Sequence, residues 1–163
     1  MSDRALTTSG YTLLELVLVL AIIAITVAAV APSLSGFATG RKTEEAAAQF
    51  VSLTHFARTQ AISDGCVYRI AIDVAAGRWF LQVESGDGFA ELDSPYGRTF
   101  TVPENVQIET DASISDGLHV INFDASGRSD LATVKFVGPR GTVEVVCDAP
   151  IDEYHILREQ EVR

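Results

Sequence analysis

The chain has 163 residues, and its 22 Asp and Glu against 12 Lys and Arg give a formal net charge of −10. So acidic a balance repels phosphate backbones and leaves no electrostatic footprint for a nucleic acid, although it favours solubility in a crowded extracytoplasmic space. A long apolar run takes the front, and the roughly 120 positions that follow are enough for one modest domain without metals or multiple disulfides.

The apolar run comes first. Leu16 to Ala31 are sixteen positions of which Thr26 alone is polar, and Tyr11 to Leu14 extend the run to 21 residues interrupted by Glu15. As a helix, such a span reaches about 31 Å, enough to cross a hydrocarbon core. A buried helix of a soluble protein keeps a polar face, and this stretch has none. It reads as a membrane-spanning helix over residues 11–31. A cleaved secretory signal fits less well. Ala29-Val30-Ala31 offers a small-x-small site, but Asp3, Arg4 and Glu15 deny the front its positive charge and Pro32 puts a tertiary amide at the scissile bond. An unprocessed anchor is the other alternative.

Glu15 separates these readings. A carboxylate in a membrane span is costly and calls for a cation. Arg4 is the only basic residue among the first 40. Cleavage between Gly10 and Tyr11 would create a new α-ammonium on Tyr11, and staggered neighbouring helices would let Glu15 of one chain meet it on the next. Fixing register is the best-attested use of such a pair.

Gly10-Tyr11-Thr12-Leu13-Leu14-Glu15-Leu16, followed by the apolar run, resembles the prepilin signature of type IV pilins and type II secretion pseudopilins. Pro32, the twenty-second residue counted from Tyr11, falls where that family commonly carries a proline. Tyr11 stands in place of the usual Phe, and Ser9 precedes Gly10 in place of a basic residue. The resemblance implies a leader over residues 1–10, cleavage after Gly10, N-methylation of Tyr11 and subunit docking guided by Glu15. It also implies a single pass through the bacterial inner membrane with the C-terminal domain in the periplasm. The partners implied are other major and minor pseudopilins, the prepilin peptidase/methyltransferase and the inner-membrane assembly platform.

Residues 32–64 read as a hinge and an amphipathic helix. Pro32, Gly36 and Gly40, with Ser33 and Ser35 between them, predict a kink or a locally melted segment. Arg41 and Lys42 beyond it suit lipid headgroups or water equally. A helix is expected over Thr43–Asp64, capped by Thr43, with Glu44 and Glu45 in its first turn and Gly65 at its end. Ala46, Phe50, Leu53, Ala57 and Ala61 recur at three- and four-residue spacing and form one packing stripe, with Gln49, Arg58 and Gln60 off it. His55 reads as a helix-surface residue, since no ligand sits at metal spacing beside it.

Residues 65–163 read as a β-rich domain. Strands are expected at Val67–Asp73 and Arg78–Glu84, joined by a hairpin over Val74–Gly77. Ser85–Gly97 reads as a surface excursion rich in Gly and Pro. Further strands are expected near Arg98–Val102, Val106–Thr110, Leu118–Phe123, Ala132–Val137 and Thr142–Cys147, with Tyr154–Leu157 as an edge strand. Trp79 and Phe80 are neighbours on a strand and must face opposite ways, one inward and the other open to exposure. The fold class is α+β: a long N-terminal helix packed on an antiparallel sheet or sandwich.

Phe56-Ala57-Arg58-Thr59-Gln60-Ala61-Ile62 leading into a strand, and Ile121-Asn122-Phe123-Asp124-Ala125-Ser126-Gly127 before further strands, are similar to elements of the H-type minor pseudopilins and their FimT relatives. No catalytic constellation appears: His55, His119 and His155 are scattered, and no serine sits in a Gly-x-Ser-x-Gly elbow. Asp124–Asp130 lacks the carboxylate run and final Glu of an EF-hand and reads as a turn, so neither metal nor cofactor is expected. Cys66 and Cys147 either close one disulfide or stay as thiols packed in the core. The leading function is a minor pseudopilin that initiates or caps a periplasmic pseudopilus for protein secretion. The alternative is a FimT-like minor pilin for pilus assembly or DNA uptake. The C-terminal run argues against DNA, because Asp148, Asp152, Glu153, Glu159 and Glu161 outnumber Arg158 and Arg163.

Overall fold

The computed structural model describes residues 12–86, 88–92 and 97–157, with side chains 28–40 outside that description. The chain divides into two compact units, Met1–Phe37 and Ala38–Arg163. Helix α1 (Leu13–Asp64) supplies the described structure of the first unit and opens the second.

The backbone stays helical through Pro32, Gly36 and Gly40, so the segment is not melted. The expected cap moves accordingly: Thr43 is an interior helical residue, 4% exposed, and not a helix start. The other end is as expected. Gly65 takes a φ of +67° and its N–H bonds to the Ala61 carbonyl at 3.0 Å, closing the helix with a left-handed residue.

The second unit holds two antiparallel sheets. The larger is built from β1 (Tyr68–Asp73), β2 (Arg78–Ser85), β3 (Gly88–Glu91), β4 (Phe100–Thr101), β6 (Ser113–Ser115) and β7 (Leu118–Phe123), in the order β3-β2-β1-β7-β6 with β4 also on β2. The smaller contains β5 (Gln107–Thr110), β8 (Thr133–Gly138), β9 (Gly141–Val146) and β10 (His155–Leu157), in the order β10-β9-β8-β5. The registers Tyr68↔Val83 and Tyr68↔Phe123 place β1 at the centre of its sheet.

The stripe of α1 packs as its spacing predicts: Ala46, Phe50, Leu53, Ala57 and Ala61 are all buried. Phe50 meets Trp79 of β2 edge-on at 6.0 Å and Phe136 of β8 at 5.9 Å, so one helical side chain ties the two sheets together. Trp79 in turn stacks on Phe100 at 5.7 Å. Phe80 does face away from Trp79, yet it is buried as well, in a small cluster with Ala71, Val120 and Leu118. Strand alternation holds there, while the expectation that one of the pair stays open to exposure does not.

Two strands depart from the sequence reading. The expected excursion after Ser85 contains β3, which is mostly exposed and carries little apolar signal. β6 was also unforeseen, although it is joined to β7 by Asp116-Gly117 with φ of 54° and 79°, the left-handed pair a two-residue hairpin requires.

Candidate assembly site

The first turn of α1 is capped by Thr12. Its Oγ1 accepts a hydrogen bond from the Glu15 N–H at 3.2 Å, and its carbonyl accepts one from the Leu16 N–H at 3.2 Å. Glu15 is therefore the third helical residue, where a carboxylate faces the unpaired amides and positive end of the helix. Sequence reasoning sought only a cation for Glu15 and passed over Thr12. The signal was present as Thr-x-x-Glu ahead of an apolar run. Gly10 and Tyr11 lie outside the described residues, and so does any pairing of the Tyr11 amine.

From Leu13 to Val27 the helix turns large apolar side chains outward on every side. Leu13 is 81% exposed, and Val19, the most covered of the set, is still 47% exposed. The polar exception is satisfied within the helix, since the Thr26 hydroxyl reaches the carbonyls of Ile22 at 3.0 Å and Ile23 at 2.8 Å. This arrangement is compatible with lipid or other helices and ill suited to water. Among the described residues no helix is long and apolar enough to cross a membrane. The stretch from Leu13 to Val27 spans about 22 Å against the ~30 Å of a hydrocarbon core. The rest of the apolar run and Pro32 fall among the side chains outside the description.

In the second unit α1 organises the C-terminal loop through its polar side. Arg58 donates to the Ile151 carbonyl at 2.8 Å, to the Ser129 hydroxyl at 3.1 Å and to the Asp152 carbonyl. Sequence reading placed Arg58 merely off the packing stripe. Its role as a clamp needs partners more than 70 residues away, which no local pattern reports. His55 stands beside Arg58 on the same loop, with its Nε2 3.3 Å from the Tyr154 carbonyl and 3.8 Å from Glu153. The Tyr154 hydroxyl donates to the Asp130 carbonyl at 2.7 Å, and burial pushes its ionisation well above the ordinary tyrosine range. Tyr68, buried and bonded to Asp64 at 2.6 Å, is pushed up to about 12.

Cys66 and Cys147 are free thiols in this structure. Cys66 lies between α1 and β1, where desolvation and then the charges of Asp64 and Glu84 raise its thiol. Cys147 follows β9 of the smaller sheet and donates to the carbonyls of Ala149 at 3.1 Å and Asp152 at 3.3 Å. Of the two arrangements open at the sequence level, separate thiols are the one present. Asp124 accepts from the Ser126 hydroxyl and from the N–H groups of Ser126 and Arg128, which hold its carboxyl below the ordinary range and form a self-contained turn. Among the described residues no group of three or more His, Cys, Asp or Glu is placed to hold a metal.

A family model described as Type II transport protein GspH matches residues 46–156. The chain belongs to the GspH family. The match begins within the packing stripe of α1 and runs through both sheets to β10. No curated protein matches the chain. Among solved structures, the minor pseudopilin EpsH from the type 2 secretion system of Vibrio cholerae is similar with a TM-score of 0.63 and 16% identity, over 74% of this chain and 99% of that one. The type IV minor pilin FimU of Pseudomonas aeruginosa is similar with a TM-score of 0.56 and 13% identity, over 75% of this chain and 92% of that one. At such identities the likeness establishes the pilin-like fold: a helix packed on antiparallel sheets.

Proposed function

We infer that this GspH-family chain is a minor pseudopilin of a type II secretion system, a structural subunit that helps initiate or cap a periplasmic pseudopilus. The observation that carries the reading is the exposed apolar stretch of α1 in a chain whose following domain is of the GspH family. Large apolar side chains from Leu13 to Val27 are exposed among the described residues, and lipid before assembly and neighbouring helices after it are the surroundings that suit them. In this reading residues 11–31 cross the inner membrane once, the domain from residue 65 lies in the periplasm, and Pro32 gives the helix freedom to adjust as subunits leave the bilayer.

Processing completes the proposal. A prepilin peptidase removes residues 1–10 and methylates Tyr11, whose ammonium then pairs with Glu15 of a neighbour on the assembly platform. Thr12 capping supports this geometry, because it holds Glu15 at the very start of the helix, where a neighbour's chain end can reach it. The intact mass of protein purified from membranes tests the step. A mature chain starting at N-methylated Tyr11 is expected, and any other first residue overturns it. Deletion of the gene should abolish or sharply reduce secretion of the system's substrates, with rescue by the wild-type chain and not by Glu15→Ala.

The likeness to FimU favours a second home in a type IV pilus. DNA capture is disfavoured there too, since the net charge is −10 and a phosphate backbone needs clustered cations.

A further inference from the structure

Several of the chain's cations are engaged within the fold: Arg58 holds the C-terminal loop, Arg69 pairs with Asp116 at 3.1 Å, Arg78 with Asp73 at 3.1 Å and Lys135 with Glu144 at 2.7 Å. Arg41 and Lys42 are exposed and enter none of the ion pairs found among the described residues. Thr43, the next residue of α1, lies so close to Gly138 that a Cβ there would meet its hydroxyl oxygen at 2.3 Å. Gly138 and Gly141 pair across the β8–β9 turn, whose two central residues, Pro139 and Arg140, are exposed. An arginine that looks isolated in the sequence therefore joins the end of the domain where Arg41 and Lys42 stand. The β1–β2 turn belongs to the same end. Residues 74–77 and 106–109 line one cleft, and the pairing Gln107↔Val137 sets the start of β5 beside the end of β8. In that turn Val74, Ala75 and Ala76 are all exposed, three apolar residues where a surface turn is ordinarily polar.

We propose that this end of the second unit is an interfacial site for anionic phospholipid headgroups, with Arg41, Lys42 and Arg140 on the phosphates and the turn at residues 74–76 in the headgroup layer. Each basic residue near an anionic surface favours contact by roughly fivefold, and an apolar tip adds an anchor that charge alone does not. Complementarity argues for this partner. A chain of net charge −10 is repelled by an anionic bilayer as a whole, so contact is confined to an end where cations and an apolar turn coincide. Chain order argues the same way, because Arg41 and Lys42 come between the apolar run and the acids Glu44 and Glu45; Glu104, ahead of β5, is the other acid on these elements. The inference rests on the membrane reading of residues 11–31 and adds what the domain itself does at that surface: it settles on lipid before assembly and is released as the subunit joins the filament.

Fluorescence quenching of the full-length chain in lipid nanodiscs tests it. A fluorescent amino acid is placed at Ala75, at Val19 in the apolar stretch or at Ala125, in the turn that meets Ile62 near the other end of α1. The discs hold phosphatidylcholine alone or with phosphatidylglycerol at about two to one, and carry a quencher on the headgroup or on the acyl chain. The expected result is headgroup quenching several-fold stronger at Ala75 than at Ala125, seen with phosphatidylglycerol and lost without it or at high salt. Arg41→Gln with Lys42→Gln should weaken the contact more than about tenfold and Arg140→Gln about fivefold, while Arg140→Lys should retain it. These positions are exposed, and an unchanged melting temperature verifies that the variants keep the fold. Equal quenching at Ala75 and Ala125 overturns the proposal, as does quenching at Ala75 that ignores lipid charge and the neutralising variants. If acyl-chain quenching persists at Val19 in either case, the membrane reading stands. Its absence at Val19 overturns both.

Discussion

Two stretches of one helix differ in where their burial comes from. Between Ala46 and Ala61 the apolar side chains form a stripe, and the chain's own two sheets bury it. Between Leu13 and Val27 large apolar side chains on every side of the helix are exposed among the described residues. The first stretch holds its own domain together. The second is a surface waiting for other molecules, and substitutions in the two stretches should fail in different assays.

The largest separation is expected at Phe50. It is fully buried between Trp79 and Phe136, so Phe50→Ala should cost about 3–5 kcal/mol of domain stability by denaturant unfolding. Val19→Ala should leave that midpoint within about 0.5 kcal/mol of wild type, as exposed sites do. A comparable loss in both would erase the distinction between the stretches. Arg58→Met comes next. It removes the donors that hold the Ile151 and Asp152 carbonyls and the Ser129 hydroxyl, and should cost about 1–3 kcal/mol. Hydrogen exchange should speed up in residues 147–154 before the sheets are affected.

Gly138→Ala tests the close approach of α1 to the β8–β9 hairpin. A Cβ there would lie 2.3 Å from the Thr43 hydroxyl oxygen. A loss of about 1–3 kcal/mol is expected, and Thr43→Ala in the same chain should recover most of it, giving a coupling that a double-mutant cycle measures. The smallest effect concerns Asp124. Its carboxyl is held below the ordinary value by the Ser126 hydroxyl and by the backbone N–H groups of the turn. A depressed folded pKa contributes stability above the unfolded value of about 3.9, which is lost as the pH falls through the folded one. Asp124→Ala should therefore flatten the stability profile below about pH 4 and leave its slope near neutrality unchanged.

Much of the architecture was legible because it depends on period and punctuation. The stripe on α1, the end at Gly65 and strands β1, β2 and β7 follow from three-four spacing, a left-handed glycine and alternation, all local properties of the chain. β3 escaped because an exposed edge strand carries almost no apolar pattern. β6 escaped although Asp116-Gly117 announced its hairpin, because three residues with a single apolar side chain, Ile114 between two serines, are too short to read as a strand. Thr43 misled for a different reason. It suits a helix start, but helical residues already precede it, and it is buried where the missing side chain of Gly138 leaves room for its hydroxyl. At the candidate site Glu15 was found by its charge in an apolar setting, whereas Thr12 was overlooked as a cap.

By itself, then, the sequence determined what each segment must avoid: water for Leu13 to Val27, exposure for the stripe from Ala46 to Ala61, and a phosphate backbone for the whole acidic chain. These follow from the transfer properties of side chains at short spacing, which need no partner to be specified. The tertiary structure decided which groups meet across long separations. Phe50 joins two sheets, Arg58 grips a loop from the far end of the chain, and the two cysteines remain free thiols. Such encounters depend on how strands order themselves in space, and a hydrogen bond or ring contact is set by distance in three dimensions and leaves no period along the chain.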